Sequence, residues 1–191
     1  MKNKYTFAGK QAVTAQLVNG EFIWLAFFGE DSVCSLYKSS VFNVNFRYWD
    51  VDIIADAINY MVDDTTYLYL ALDHSVYIGA KVNKSNPSSI TYFTKEMGIT
   101  EEAIDLVEDT TYVYFLISGT EGTGENTKIC KYNKSTRAFI ETIDLADVSN
   151  AQKIDIDNDG NLWVVSNLDS IPILTKVWKD TGWEHNNQEL S

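Results

Sequence analysis

At 191 residues, 45% hydrophobic and 13% aromatic, the chain is long enough to bury a sizeable core and too apolar to be disordered. Against 27 Asp and Glu it carries 15 Lys and Arg, a formal charge of −12, which excludes the basic footprint that nucleic acid and anionic membrane surfaces require. No window approaches the ~20 apolar residues of a membrane span, and the two cysteines are too few for a disulfide framework.

The start, Met1-Lys2-Asn3-Lys4-Tyr5-Thr6-Phe7-Ala8-Gly9, is basic but leads into no apolar run long enough for a secretory signal. A virion or the cytoplasm is therefore expected rather than classical secretion. A first repeat spans about 11–53 and contains the apolar stretch Phe22-Ile23-Trp24-Leu25. Its third turn is not clean, and the segment Phe42 to Trp49 is unusually aromatic.

The second repeat, 54–100, is the clearest. Ala57 to Val62 predicts a first strand, Asp63-Asp64-Thr65-Thr66 a turn, and Tyr67 to Leu72 a second strand with both faces apolar. Asp73-His74-Ser75 turns the chain into a third strand, Val76 to Val82. Asn83 to Ser88 is a polar turn with a proline, and Ser89 to Thr94 alternates as an outer, half-exposed strand should. Only Ile99 to Asp105 suggests a helix, and it is too short to matter.

The third repeat, 101–148, copies this plan through Ala103 to Val107, Tyr112 to Ser118, Lys128 to Tyr132 and Ala138 to Ile143. A Gly-rich loop from Gly119 to Asn126 lengthens its second turn. The last repeat, 149–191, opens with Lys153-Ile154-Asp155-Ile156-Asp157-Asn158-Asp159-Gly160-Asn161-Leu162-Trp163-Val164-Val165.

Two landmarks share one period. The rings Trp24, Tyr69, Tyr114 and Trp163 recur at intervals of 45, 45 and 49, and the turn lysines Lys38, Lys84, Lys134 and Lys179 at 46, 50 and 45. Four residues before each lysine stand Cys34, Ala80, Cys130 and Thr175, which read as a small packing position in each third strand. A four-stranded sheet with apolar inner faces cannot stand alone in water and must stack on a neighbour. The expected fold is therefore all-β: a β-propeller-like array of four four-stranded antiparallel blades in one domain, as a small closed ring or an open arc. The four rings would be wedges between blades.

The 153–165 segment resembles the "apolar–x–D–x–D–G–N–apolar–W–V" stretch of NHL-type and two-component-regulator-type propeller repeats. In those families it forms the first strand, tight turn and second strand of a blade. The resemblance covers about 13 residues of the last repeat, is looser in the others, and implies a propeller blade without carrying over catalytic residues.

Asp155, Asp157 and Asp159 mimic the opening of a calcium loop, but Ser166 stands where the closing bidentate acid belongs. An Asp/Gly blade turn explains the run better, with calcium as the alternative and no other cofactor expected. The acid pairs Asp63/Asp64, Glu101/Glu102 and Glu108/Asp109 read as turn acids rather than a catalytic dyad. His74 and His185 stand without a cluster. Asn83-Lys84-Ser85 and Asn133-Lys134-Ser135 match a glycan acceptor pattern at equivalent turns.

No hydrolase, phosphate-loop or dinucleotide motif appears. The function expected is a non-enzymatic binding or assembly module with a protein partner or self-association, as a structural or host-recognition component of a phage virion. The alternative is a lectin or hydrolase using Trp49, Trp178 and Trp183 as stacking surfaces for a glycan.

Overall fold

The computed structural model describes residues 13–19, 22–27, 33–40, 51–120, 125–168, 171–179 and 182–189. Among these residues are sixteen strands and no α-helix. The first sheet holds β1 (Val13–Asn19), β2 (Phe22–Phe27), β3 (Val33–Ser40) and β4 (Val51–Ile54). The second holds β5 (Ala57–Asp63), β6 (Tyr67–Asp73), β7 (Tyr77–Asn83) and β8 (Ile90–Thr94). In the third are β9 (Asp105–Glu108), β10 (Tyr112–Ile117), β11 (Thr127–Asn133) and β12 (Phe139–Leu145), and in the fourth β13 (Ala151–Ile156), β14 (Leu162–Leu168), β15 (Ile171–Trp178) and β16 (Glu184–Glu189).

Each sheet is an antiparallel meander in which consecutive strands pair. The first strands β1, β5, β9 and β13 contact one another in sequence, so they are innermost and the fourth strands outermost. No comparable contact joins β13 back to β1, and the four sheets form an open arc rather than a closed ring.

Successive sheets stack face to face. Trp24 of the first sheet lies in one apolar cluster with Ile58, Met61, Leu68 and Leu70 of the second. Tyr69 packs with Leu106, Val113 and Phe115 of the third, and Tyr114 with Ile154, Leu162 and Val164 of the fourth. The ring thus marks the trailing face of each of the first three sheets, which meets the leading face of the next sheet. Apolar rings at 1%, 1% and 0% exposure make these three wedges major contributors, each worth on the order of 2–3 kcal/mol. Gly79 on β7 permits the closest approach: a Cβ there would lie 2.3 Å from Phe115 of the next sheet.

Strand register corrects one part of the repeat alignment. Trp24 pairs with Lys38, Tyr69 with Lys81, Tyr114 with Lys131 and Trp163 with Lys176. Lys38 therefore corresponds to Lys81, not to the turn residue Lys84. The position matching Ala80, Cys130 and Thr175 is Tyr37, which pairs with Leu25. The small-residue rule fails in the first sheet, because side-chain size there answers to a different neighbourhood than spacing alone reveals. Cys34 lies elsewhere, donating to the Ala55 carbonyl at 3.3 Å, and both cysteines are buried free thiols.

The turn acids do more than face water. Asp64 accepts from the amides of Thr66 (2.8 Å) and Tyr67 (2.7 Å) and, through its other oxygen, from the Tyr69 hydroxyl (2.9 Å). Asp109 repeats this with Thr111 (2.7 Å), Tyr112 (2.6 Å) and the Tyr114 hydroxyl (3.0 Å). One carboxylate thereby closes the turn and holds the polar tip of the buried wedge. The turn lysines brace the same turns: Lys84 reaches Asp63 at 2.9 Å, and Lys134 reaches Glu108. Lys134 also crosses to Asp64 of the preceding sheet at 3.1 Å and lies 5.0 Å from the Tyr69 ring centroid. Asn83 and Asn133 accept amide bonds from residues two and three positions on, forming matching turns. Tyr5 to Phe7, which the sequence suggests as a latch strand, lie outside the described residues.

Candidate functional site

In the fourth sheet the repeat reaches its last trailing face, and no described sheet covers it. Alternation along β14 turns Leu162, Val164 and Ser166 towards the third sheet and Trp163 and Val165 away from it. On β15, Leu174, Lys176 and Trp178 share that outer side. Register identifies the counterparts of Trp163, Val165 and Leu174 as Tyr114, Leu116 and Ile129 in the third sheet, all at 0% exposure. In the first sheet they are Trp24, Ala26 and Leu36, also buried. Trp163, Val165 and Leu174 are only half-buried. The same chemistry that forms an interior elsewhere forms a surface here.

Trp163 is held in place. Its Nε1 donates to Asp157 Oδ2 at 3.1 Å, and the Lys176 ammonium lies 4.9 Å from its ring and 5.7 Å from that of Trp178. Asp157 also accepts from the amides of Asp159 (3.0 Å) and Asn161 (2.9 Å) and from the Asn161 side chain. The Asn161 side chain first, then the Trp163 indole and the two amides, hold its carboxyl well below the usual range, at about 2. Gly160 supplies the positive φ of 84° that closes this turn.

A cavity of about 570 Å³ opens beside this face among the innermost strands, lined by Tyr60, Val62, Asp105, Lys153, Asp155 and Trp163 among others. Asp105, 1% exposed, accepts the Ile154 amide at 2.9 Å through Oδ2, while Oδ1 has no hydrogen-bond donor and meets Lys153 at 3.7 Å. Burial raises its pKa against the opposing pull of the Ile154 amide and Lys153. Lys153 lies 3.8 Å from the Tyr60 ring centroid, so the cavity wall is an aromatic–cation–acid series.

At the opposite end of the arc the first sheet's leading face is also incomplete. Ile23 and Leu25 are half-buried and Val18 is 60% exposed. The register counterparts of Ile23 and Leu25, namely Leu68 and Leu70, Val113 and Phe115, Leu162 and Val164, are all 0% exposed.

The sequence-predicted site residues fall in different places. Trp49 lies outside the described residues. Trp178 stands on the open face, but Trp183 turns to the third sheet, donating to Glu141 at 2.9 Å and packing edge-on to Tyr114 at 6.0 Å. Asp155 is on β13 opposite Trp163, with Oδ1 accepting the Ile156 amide at 2.8 Å, while Asp157 is committed to its turn. Among the described residues no group of three His, Cys, Asp or Glu converges as a metal site. The residue that sequence reasoning placed in an interior and the structure places on a surface is Trp163.

No known family profile matches the chain, and no curated protein does. Solved structures do. The hydrazine synthase of Kuenenia stuttgartiensis aligns over 93% of this chain with a TM-score of 0.69 at 12% identity, and this chain spans 54% of that one. A quinonprotein alcohol dehydrogenase-like protein from Bacteroides thetaiotaomicron aligns over 95% of this chain and 43% of its own, with a TM-score of 0.59 and 12% identity. The computationally designed Ika4 protein aligns over 97% of this chain and 96% of its own, at 0.57 and 10%. This chain is an open arc of propeller blades. It spans about half the length of the hydrazine synthase chain, and at such identities the likeness is one of fold alone.

Proposed function

We propose that this protein is a non-enzymatic binding and assembly module that docks a protein on the open face of its last sheet. The observation that carries the reading is the half-exposure of Trp163, Val165 and Leu174 at positions whose counterparts are buried against a neighbouring sheet. An apolar sheet face of this kind is a docking surface in waiting. The strand–turn–strand of 153–165, with its Asp157–Trp163 bond, supports a kinship with NHL-type blades. The acidic, repeat-built chain suits a structural or host-recognition component of a virion.

Replacing Leu174 with photo-reactive p-benzoylphenylalanine in the producing cell tests this. A discrete protein adduct, identified by mass spectrometry, is expected at Leu174 and not at Ile140, which is 44% exposed on the outer strand β12. Equal or absent labelling at both positions refutes the reading. A second reading, glycan binding, is favoured by one observation: Trp163 and Trp178 flank Lys176 on the same open face, an aromatic platform of the kind sugars stack on. A glycan array blank at the detection limit removes it.

A further inference from the structure

We infer that the occupant of the open face is the first sheet of a second copy of this chain, joined head to tail. This rests on the docking reading above and names its partner. The three internal junctions are built alike: a trailing face with a ring, a small or aliphatic residue and, opposite the ring, a lysine packs its ring in one cluster with the leading face of the next sheet. Among the described sheets, the last carries that trailing cluster at Trp163, Val165, Leu174 and Lys176, and the first carries a leading face at Ile23 and Leu25. A fourth junction of the same design therefore has both halves on one chain, at opposite ends of an arc that does not close on itself.

The innermost strands add a chemical match. At each internal junction one trailing and one leading residue of these strands share a cluster: Leu17 with Met61, Val62 with Leu106, and Val107 with Ile154. Register places Asp155 at the trailing position of the last sheet, opposite Trp163, and Gln16 at the leading position of the first, opposite Leu25. All six internal residues are apolar, and the two terminal ones are polar and exposed. They are also complementary. Asp155 can only accept, with Oδ2 still available beside the Oδ1 that takes the Ile156 amide, and the Gln16 amide donates. Polar residues keep each end soluble before assembly and pair when two copies meet. An unrelated partner has no reason to present this match; a second copy has it by construction.

Sedimentation velocity on the full purified chain tests the inference. A finite species of twice the chain mass, or a small multiple, is expected. Gln16→Glu sets a second carboxylate against Asp155 and is expected to weaken association roughly tenfold, and Asp155→Asn in the same chain to recover it. Both sites are exposed, so the circular dichroism spectrum should not change. Mixing supplies an independent arm: Leu174→Glu and Leu25→Glu copies should each fail to assemble alone and form a one-junction pair together. A chain monomeric at every concentration, assembly indifferent to Gln16→Glu, or no complementation on mixing overturns the second-copy occupant. If the chain is monomeric while position 174 still captures a different protein in the cell, this inference falls and the docking reading stands. If neither occurs, both fall.

Discussion

Asp109→Ala removes one carboxylate and three hydrogen bonds, and the structure sets the magnitude. The Thr111 and Tyr112 amides belong to an exposed and a half-buried residue, so their loss resembles that of a helix cap, roughly 1 kcal/mol together or somewhat more. The Tyr114 hydroxyl belongs to a residue at 0% exposure, so losing its acceptor strands a buried donor and adds roughly 2 kcal/mol. The expected destabilisation is about 3 kcal/mol in urea unfolding followed by far-ultraviolet circular dichroism. In the last sheet the equivalent change, Asp157→Ala, frees the indole of a half-buried Trp163, which water can reach, and should cost less than Asp109→Ala. A double-mutant cycle isolates the stranded group: Tyr114→Phe on the Asp109→Ala background should recover about 1–2 kcal/mol. A single-variant cost below about 1 kcal/mol, or no recovery in the cycle, would refute the view that turn acids hold the wedges.

Four other outcomes follow from the same geometry. Burial works against ionisation of Asp64, yet the Tyr67 and Thr66 amides and Lys134 outweigh it and hold the carboxyl at about 2; Asp157 is at about 2 as well. A depressed carboxyl contributes stability that is present above the unfolded value of ~3.9 and lost as pH falls through the folded one, so thermal midpoints should drop between about pH 4 and pH 2. Asp105 has the opposite sign, since burial raises its pKa; Asp105→Asn should raise the midpoint at pH 7 and leave the acid loss between pH 4 and 2 in place. Gly79→Ala drives a methyl into Phe115 and against the Leu70 carbonyl and should cost about 3 kcal/mol, of which Phe115→Leu recovers only the side-chain part. Cys130, its thiol pushed up to about 11 by burial, and Cys34 should ignore a disulfide-exchange reagent at pH 8 in the native protein, and both should react in urea.

Much of the fold was legible because each sheet is specified locally. Alternation, Asp- and Asn-based turns and the recurring ring mark strand after strand, and β6, β10 and β14 lie where the Tyr-Leu-Tyr-Leu-type stretches predict them. Spacing failed where pairing decides identity. Lys38 and Lys84 are 46 apart and look equivalent, yet only Lys38 stands opposite a ring, because a difference of three residues in turn position is invisible until two strands are hydrogen-bonded. The turn acids were visible as a pattern, but their grip on the Tyr69 and Tyr114 hydroxyls was not, since that bond depends on how the second strand leaves the turn.

From its sequence alone this protein was bound to be a stack of four-stranded sheets, since each repeat carries more apolar surface than one sheet can hide. What it could not say is which of four similar rings would be left facing outward. That depended on the sheets stacking in one direction without returning to the start, so that among the described residues Trp24, Tyr69 and Tyr114 each gained a following sheet and Trp163 did not. Burial is a property of neighbours, and the last member of a series has one fewer.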